Sequence, residues 1–127
     1  QPIMELVERF AGITGAALAE LDGADVVLHP PEQQATLRHC AVFGGIALRR
    51  LSMAEQLAGR SPIHDIQLQG DEGAFMALRV GDDYQLIVTL DASTMGVQIA
   101  SAARAVARNL TPEVTTESVT ETPHSPI

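Results

Sequence analysis

Aromatic residues are scarce in this sequence. Phe and Tyr together make up 3% of its 127 residues, and Trp is absent. A core must therefore be built mainly from Ala, Leu, Val, Ile and Met, which supply most of the 46% apolar content. A pocket that stacks rings or nucleobases on aromatic side chains is not expected.

Positive charge is also scarce. The chain has 8 basic residues, all of them Arg, against 16 acidic ones, and its formal net charge is -8. Nucleic acids and acidic membrane surfaces are bound largely by neutralising their negative charges, so neither is an expected partner. The single cysteine, Cys40, excludes an internal disulfide and cannot form a zinc site alone, and a reducing cytoplasm is the expected location.

Long apolar runs are missing as well. No stretch of about 18 apolar residues is present, so a membrane-spanning helix is not expected. The chain does not open with the basic and then apolar segment of a leader, and Met4 is a candidate start because Gln1 is not an initiator residue. At 127 residues, the chain has the size of one domain.

A clear succession of patterned segments is present. Helical spacing of apolar residues predicts an amphipathic helix at the start, a long helix in the middle, and a last helix that begins after Asp91 or Ser93. Two strands joined at Asp22-Gly23 precede the long helix, and a three-stranded meander follows it. The predicted bounds are 3–10 and 32–59 for the first two helices, 15–21, 26–29, 63–69, 74–80 and 84–90 for the strands, and 110 for the end of the last helix.

The C-terminal segment differs from the rest in composition. Residues 111–127 contain mainly Thr, Pro, Ser and Glu, and no Lys or Arg. Such a segment cannot bury enough apolar surface to order itself. We therefore expect one domain over residues 1–110, followed by a disordered tail over residues 111–127.

The long helix is apolar on more than one side. Its centre, residues 40–48, carries no charge. A helix of this kind must be covered by more than one partner, so we expect one face to lie on the sheet and another on a second copy of the chain. Its three apolar stripes are Leu37, Ala41, Gly44, Leu48 and Leu51; Cys40, Phe43 and Ala47; and Val42, Ile46, Met53 and Leu57.

A glycine pair, Gly44-Gly45, lies inside this helix. A helical Gly costs roughly 1 kcal/mol relative to Ala, so a pair usually reflects close approach of another backbone. This favours a subunit contact. The alternatives are a helix buried wholly within its own domain, and a helix that is broken at the Gly pair.

No group of side chains indicates catalysis. His39 and Cys40 are neighbours on a helix and point about 100° apart, so they cannot act as base and nucleophile. The paired acids at 71–72 and 82–83 lie in predicted turns, where solvated side chains are expected. We therefore expect that the chain is not an enzyme.

Metal and nucleotide sites are not indicated either. His29, His64 and His124 lie in a strand end, a strand and the tail, without ligand spacing. Gly44-Gly45 is not a phosphate loop, because no Gly-Lys-Ser/Thr follows it and no strand leads into it. We expect no cofactor and no metal, and the chain is not itself a GTPase.

Several short motifs occur in a fixed order along the chain. They are the Asp22-Gly23 hairpin followed by Val26-Val27-Leu28, the small-residue helix with Gly44-Gly45, the turn 81–83 ahead of the strand 84–88, and Asp91 with Met95-Gly96 at the start of the last helix. In this order and spacing, the chain resembles the roadblock family of dynein light chains and their bacterial relatives. The resemblance covers about residues 3–110.

The resemblance implies an α+β fold of the broad α/β class. A five-stranded, mostly antiparallel sheet is covered by helices, in the order α-β-β-α-β-β-β-α of a profilin-like, roadblock sandwich. The family also implies a noncatalytic homodimer that regulates or scaffolds a small Ras-like GTPase, or a cytoskeletal or signalling partner. The long helix and the third strand form its dimer, which joins two sheets edge to edge. The implied interface residues are Cys40, Phe43, Gly44, Ala47, Ile63, Asp65 and Gln67.

Arg49 and Arg50 on the long helix are the candidate partner-binding residues. One role is that of an arginine finger on a partner's nucleotide, and the other is a solvated side chain paired with acids of the helix. PAS-like and GAF-like sensor domains, which also combine a five-stranded sheet with helices, are the alternative class. A small-molecule pocket enclosed by sheet and helices would favour the sensor.

Overall fold

A computed structural model describes residues 2–59, 64–71, 73–91 and 96–121. Within these residues it contains one five-stranded sheet and three α-helices, which confirms the predicted α+β class and element order. The elements are α1 (Pro2–Arg9), β1 (Ile13–Glu20), β2 (Asp25–His29), a 3-10 turn (Pro31–Gln33), α2 (Gln34–Ala58), β3 (Asp65–Gln69), β4 (Ala74–Val80), β5 (Tyr84–Leu90) and α3 (Val97–Glu121).

The sheet runs in the order β2-β1-β5-β4-β3, and each neighbouring pair is antiparallel. β1 and β2 form the predicted hairpin, and β3, β4 and β5 form the predicted meander. The pairing of β1 with β5, with Ala17 opposite Ile87, joins the two units into one sheet. This arrangement leaves β2 and β3 as the edge strands. Pro30 and Pro31 follow β2 directly and cannot donate to a ladder, whereas the described part of β3 contains no proline.

Alternation along the strands builds one apolar layer on each face of the sheet. On one face the core includes Ile3 and Leu6 of α1 and Ile99 of α3. On the other face Ala77 and Ile87 pack beneath α2. The first face also holds Met76, Leu78 and Val80 of β4 together with Leu86, Val88 and Leu90 of β5.

α3 is longer than the sequence predicts. It continues past Leu110 to Glu121, through Pro112, so the disorder predicted from residue 111 is wrong for residues 111–121. Pro112 cannot donate a backbone hydrogen bond. In the same turn, the Thr111 side chain donates to the Ala107 carbonyl at 2.9 Å. Extending a formed helix adds one backbone bond per residue, which is easier than nucleating a new helix. Residues 122–127 lie outside the described part.

The Gly pair of α2 faces its own sheet. A Cβ on Gly45 would lie 1.9 Å from the Leu21 carbonyl oxygen, and a Cβ on Gly44 would lie 2.9 Å from the Ala77 Cβ. The close backbone that the pair accommodates therefore belongs to the same chain, and α2 runs unbroken through it. The prediction that Gly44 lies in a dimer interface is wrong, because Gly44 is buried between α2 and the sheet.

Polar side chains fix α2 on the sheet beside the Gly pair. Gln85 is fully buried on β5, and its Nε2 donates to the Ala41 carbonyl at 2.7 Å and to the Glu20 carbonyl at 3.2 Å. Arg79 on β4 donates through Nη2 to Ser52 Oγ at 2.6 Å and to the Leu48 carbonyl at 3.2 Å. Buried polar groups are tolerated when they are hydrogen-bonded, and these bonds fix the rotation of α2.

Replacing Gly45 with Ala tests this docking. We expect Gly45→Ala to lower the free energy of unfolding by about 3 kcal/mol, because the new methyl group overlaps a carbonyl whose residue is held by the Leu21 N–H bond to Asp83 O. The overlap outweighs the gain of about 1 kcal/mol in helix propensity. Urea unfolding monitored by circular dichroism measures the difference.

Gly70→Ala is the matched control. Its Cβ would lie 3.6 Å from the Gly73 carbonyl oxygen, an ordinary contact, so a change below about 0.5 kcal/mol is expected. A Gly45→Ala protein as stable as the Gly70→Ala protein would contradict the close approach of α2 to the β1–β2 turn.

Candidate protein-interaction surface

The side of α2 that faces away from the sheet is apolar and exposed. Five large apolar side chains there are between 47% and 90% exposed, although exposed apolar patches on monomeric proteins are usually small. We call this surface the α2 outer face. Its members are Val42, Phe43, Ile46, Met53 and Leu57.

One flank of α2 continues this surface toward β3 and β4. Cys40 and Ala47 are half-buried there, and the Phe43 ring meets the Phe75 ring edge to face, with centroids 6.4 Å apart and planes at 88°. Three of the predicted interface residues, Cys40, Phe43 and Ala47, therefore lie on one side of the helix. Phe75 is on β4, so this flank leads directly to the edge of the sheet.

A groove of about 830 Å³ and another of about 650 Å³ flank α2. The smaller groove lies on the Phe43 side, is open to solvent, and is bounded by Phe43, Leu68 and Phe75. The larger groove lies toward α3 and is lined by charges of both signs, among them Arg79, Arg104, Arg108, Glu55, Asp65 and Asp82. The mixed lining gives the larger groove no preference for anions or cations.

β3 is an edge strand of the sheet. Arg79 N donates to the His64 carbonyl at 2.7 Å, and Gly70 N donates to the Gly73 carbonyl at 2.8 Å. Hydrogen-bonded and non-hydrogen-bonded residues alternate along an antiparallel pair. The backbone N–H and C=O groups of Asp65, Gln67 and Gln69 therefore point away from β4, to a side on which the described residues place no further strand.

The side chains of β3 face both layers. Ile66 packs with the layer beneath α2, whereas Asp65 lies opposite Leu78, a member of the α3 layer. The Asp65 carboxylate accepts from Arg104 Nε at 2.9 Å and from Arg104 Nη2 at 3.3 Å, and these bonds raise the pKa of the Arg104 guanidinium. Gln67 is exposed at the middle of the strand. Ile63, the remaining predicted interface residue, lies outside the described residues.

The two candidate partner-binding arginines differ in their surroundings. Arg49 donates through Nη2 to the Leu21 carbonyl and through Nε to the Gly45 carbonyl at 3.4 Å. Arg49 therefore holds α2 against the β1–β2 turn. Arg50 is exposed, and no hydrogen bond or ion pair joins it to another described residue. It lies seven residues after Phe43 on the same helix, beside the α2 outer face.

Cys40 has the properties of a structural thiol. Its side chain is half-buried, and burial raises the pKa of the thiol. Reactive cysteines have lowered pKa values beside positive charge or a helix N-terminus, so this environment is the opposite of an activating one. Among the residues that the structure describes, no group of three or more His, Cys, Asp or Glu is placed to hold a metal ion.

Helical spacing in the sequence predicts the apolar stripe of Val42, Ile46, Met53 and Leu57 but does not assign it to a site. These residues make up most of the α2 outer face. Their spacing was sufficient to find the stripe, but only the orientation of α2 on the sheet shows that it is exposed.

None of the helices in the described ranges is long and apolar enough to span a membrane.

No protein-family model matches the sequence, and no curated protein matches it. Solved structures do match its fold. The Roadblock/LC7 domain from Streptomyces avermitilis has a TM-score of 0.76 at 15% identity, over 90% of this chain and 95% of that one. MglB in a tetrameric arrangement has a TM-score of 0.72 at 14% identity, over 87% and 83%. Profilin II from Acanthamoeba castellanii has a TM-score of 0.55 at 13% identity, over 87% and 94%.

The chain is therefore an α+β domain in which an antiparallel sheet lies between one long helix and a layer of two helices. Its fold is that of the Roadblock/LC7 domain, with a more distant likeness to profilin. The fold implied by the resemblance in the sequence is confirmed.

Proposed function

We propose that this protein is a noncatalytic homodimeric interaction module that regulates a small Ras-like GTPase. The observation that carries the proposal is the position of the apolar flank of α2, with the exposed ring of Phe43, directly beside the edge strand β3. Each surface alone is a site for association. Because they are adjacent, a second copy covers both in one event.

Among the symmetric registers that the hydrogen-bonding pattern of β3 allows, we propose the one with its two-fold axis at Gln67. Asp65 and Gln67 direct their backbone groups away from β4, and this axis places the backbone groups of Gln67 against those of its own copy. Gln67 then lies opposite the same residue of the second copy, and Asp65 lies opposite Gln69. The pairing of Gln67 with its own copy adds about two backbone hydrogen bonds. It also sets Ile66 against Leu68 across the axis, on the face that α2 covers.

The flank of α2 completes this interface. Cys40, Phe43 and Ala47 lie above β3 and β4, where the α2 helix of a second copy joined at the β3 edge would approach. Aromatic anchors surrounded by smaller apolar contacts carry much of the binding energy of protein interfaces. The roadblock fold supports the proposal, because MglB, which has this fold, assembles in a tetrameric arrangement.

Two observations support a GTPase as the partner. One is the family resemblance, and the other is the apolar surface that self-association leaves exposed. Val42, Ile46 and Met53 lie on the side of α2 opposite the sheet, so a dimer formed through the flank leaves them exposed. Arg50 lies at the border of this surface. An exposed apolar surface bordered by an exposed Arg is a suitable protein-binding surface, because arginines and large apolar side chains are enriched at interfaces.

Disulfide trapping tests the register. In a Cys40→Ser background, Gln67→Cys is expected to form an intermolecular disulfide under mild oxidation, because the two Cα atoms lie about 5.5 Å apart across the axis. Gln69→Cys is the control, since its two copies lie about 13 Å apart in this register. Non-reducing gel electrophoresis measures the covalent dimer. Equal trapping of both variants, or of neither, would contradict the proposed pairing.

Binding to a Ras-like GTPase from the same genome tests the partner. We expect the GTPase, loaded with GDP or a GTP analogue, to bind the wild-type protein, and Arg50→Ala to weaken binding about tenfold or more. Arg108→Ala, an equal charge change on α3, is the control. If Arg50 acts as an arginine finger, Arg50→Ala lowers the rate of GTP hydrolysis by the GTPase and leaves the affinity for the GTPase unchanged. No binding in either nucleotide state would contradict the GTPase proposal.

A further inference from the structure

One ion pair connects the free edge of the sheet to α3. β3 is held along its length by the ladder to β4, and Asp65 at its start also binds Arg104 of α3. The guanidinium donates from two nitrogens to the two carboxylate oxygens, at 2.9 Å and 3.3 Å. This forked geometry fixes both side chains more closely than a single contact does.

Self-association through β3 changes the surroundings of Asp65. At a free edge the carboxylate is partly hydrated, and 22% of the Asp65 side chain is exposed. In a continuous sheet the same residue lies between β4 and the β3 strand of the second copy, opposite Gln69. A carboxylate that loses water is costly unless it is paired and hydrogen-bonded. Arg104 already supplies that pairing from the α3 side, away from the joining edge.

We infer that Arg104 is a positioning residue for self-association, acting through Asp65. It neutralises the one acidic side chain that β3 brings to the joint, in a chain whose net charge is -8, and it holds the start of β3 against the sheet. Two-fold symmetry places this pair at both ends of the joined strands, so each effect occurs twice per dimer. This inference rests on the proposed homodimer.

The dissociation constant of the dimer measures the role of Arg104. We expect Arg104→Ala to raise it about fivefold, equivalent to about 1 kcal/mol, relative to Arg108→Ala, which removes an exposed arginine one turn further along α3. Sedimentation equilibrium over a dilution series gives the constants. Circular dichroism and urea unfolding confirm that each variant is folded. If Arg104→Ala does not fold, Arg104→Lys replaces it, since Lys keeps the charge and loses the fork.

Exchanging the charges of Asp65 and Arg104 distinguishes the effect of their ion pair from a general effect of net charge. Asp65→Arg and Arg104→Asp are each expected to weaken the dimer, and the double variant to return the constant to within about twofold of wild type. Equal constants for Arg104→Ala and Arg108→Ala, or no recovery in the double variant, would overturn the role of Arg104. A wild-type protein that stays monomeric at all concentrations would instead overturn the proposed homodimer.

Discussion

The close docking of α2 on its own sheet is the constraint on which the rest of the structure depends. Gly44 and Gly45 let the helix backbone approach Leu21 and Ala77, and Gln85 fixes the helix at that point. Close approach uses only a narrow inner stripe of the helix. The remaining apolar residues of α2 are therefore left on the outside, where the described part of the chain does not cover them.

The same docking explains why the interaction surface lies at one edge of the sheet. α2 packs above Ala77 and Ile87, and Phe43 extends toward Phe75, so the flank of the helix and the β3 edge are neighbours. The other edge differs. β2 ends at two prolines, and its Asp25 is bound by Arg38 of α2 at 2.7 Å. Hydrogen bonding to Arg38 lowers the pKa of the Asp25 carboxyl.

The sequence predicted the fold wherever local pattern decides the structure. The predicted turns at 70–73 and 81–83 set the bounds of β4 and β5, and the Asp22-Gly23 turn predicted the hairpin, because these signals arise from neighbouring residues. The Gly pair was recognised as a close contact, but its partner, Leu21, is distant in sequence and depends on how α2 lies on the sheet. The sequence did not distinguish Arg49 from Arg50, because their different surroundings also depend on how α2 lies on the sheet. The sequence did not predict the helical extension to Glu121. The composition of residues 111–121 indicates the free-energy cost of ordering that segment by itself, whereas extending the helix that precedes it costs less.

The mass of the protein in solution shows whether a second copy covers the α2 flank and the β3 edge. Light scattering at micromolar concentration compares wild type with Phe43→Asp and Val26→Asp, two charge introductions at positions 55% and 58% exposed. We expect twice 13.5 kDa for wild type and Val26→Asp, and 13.5 kDa for Phe43→Asp. A wild-type mass of 13.5 kDa, or a Phe43→Asp protein that stays dimeric, would contradict this expectation.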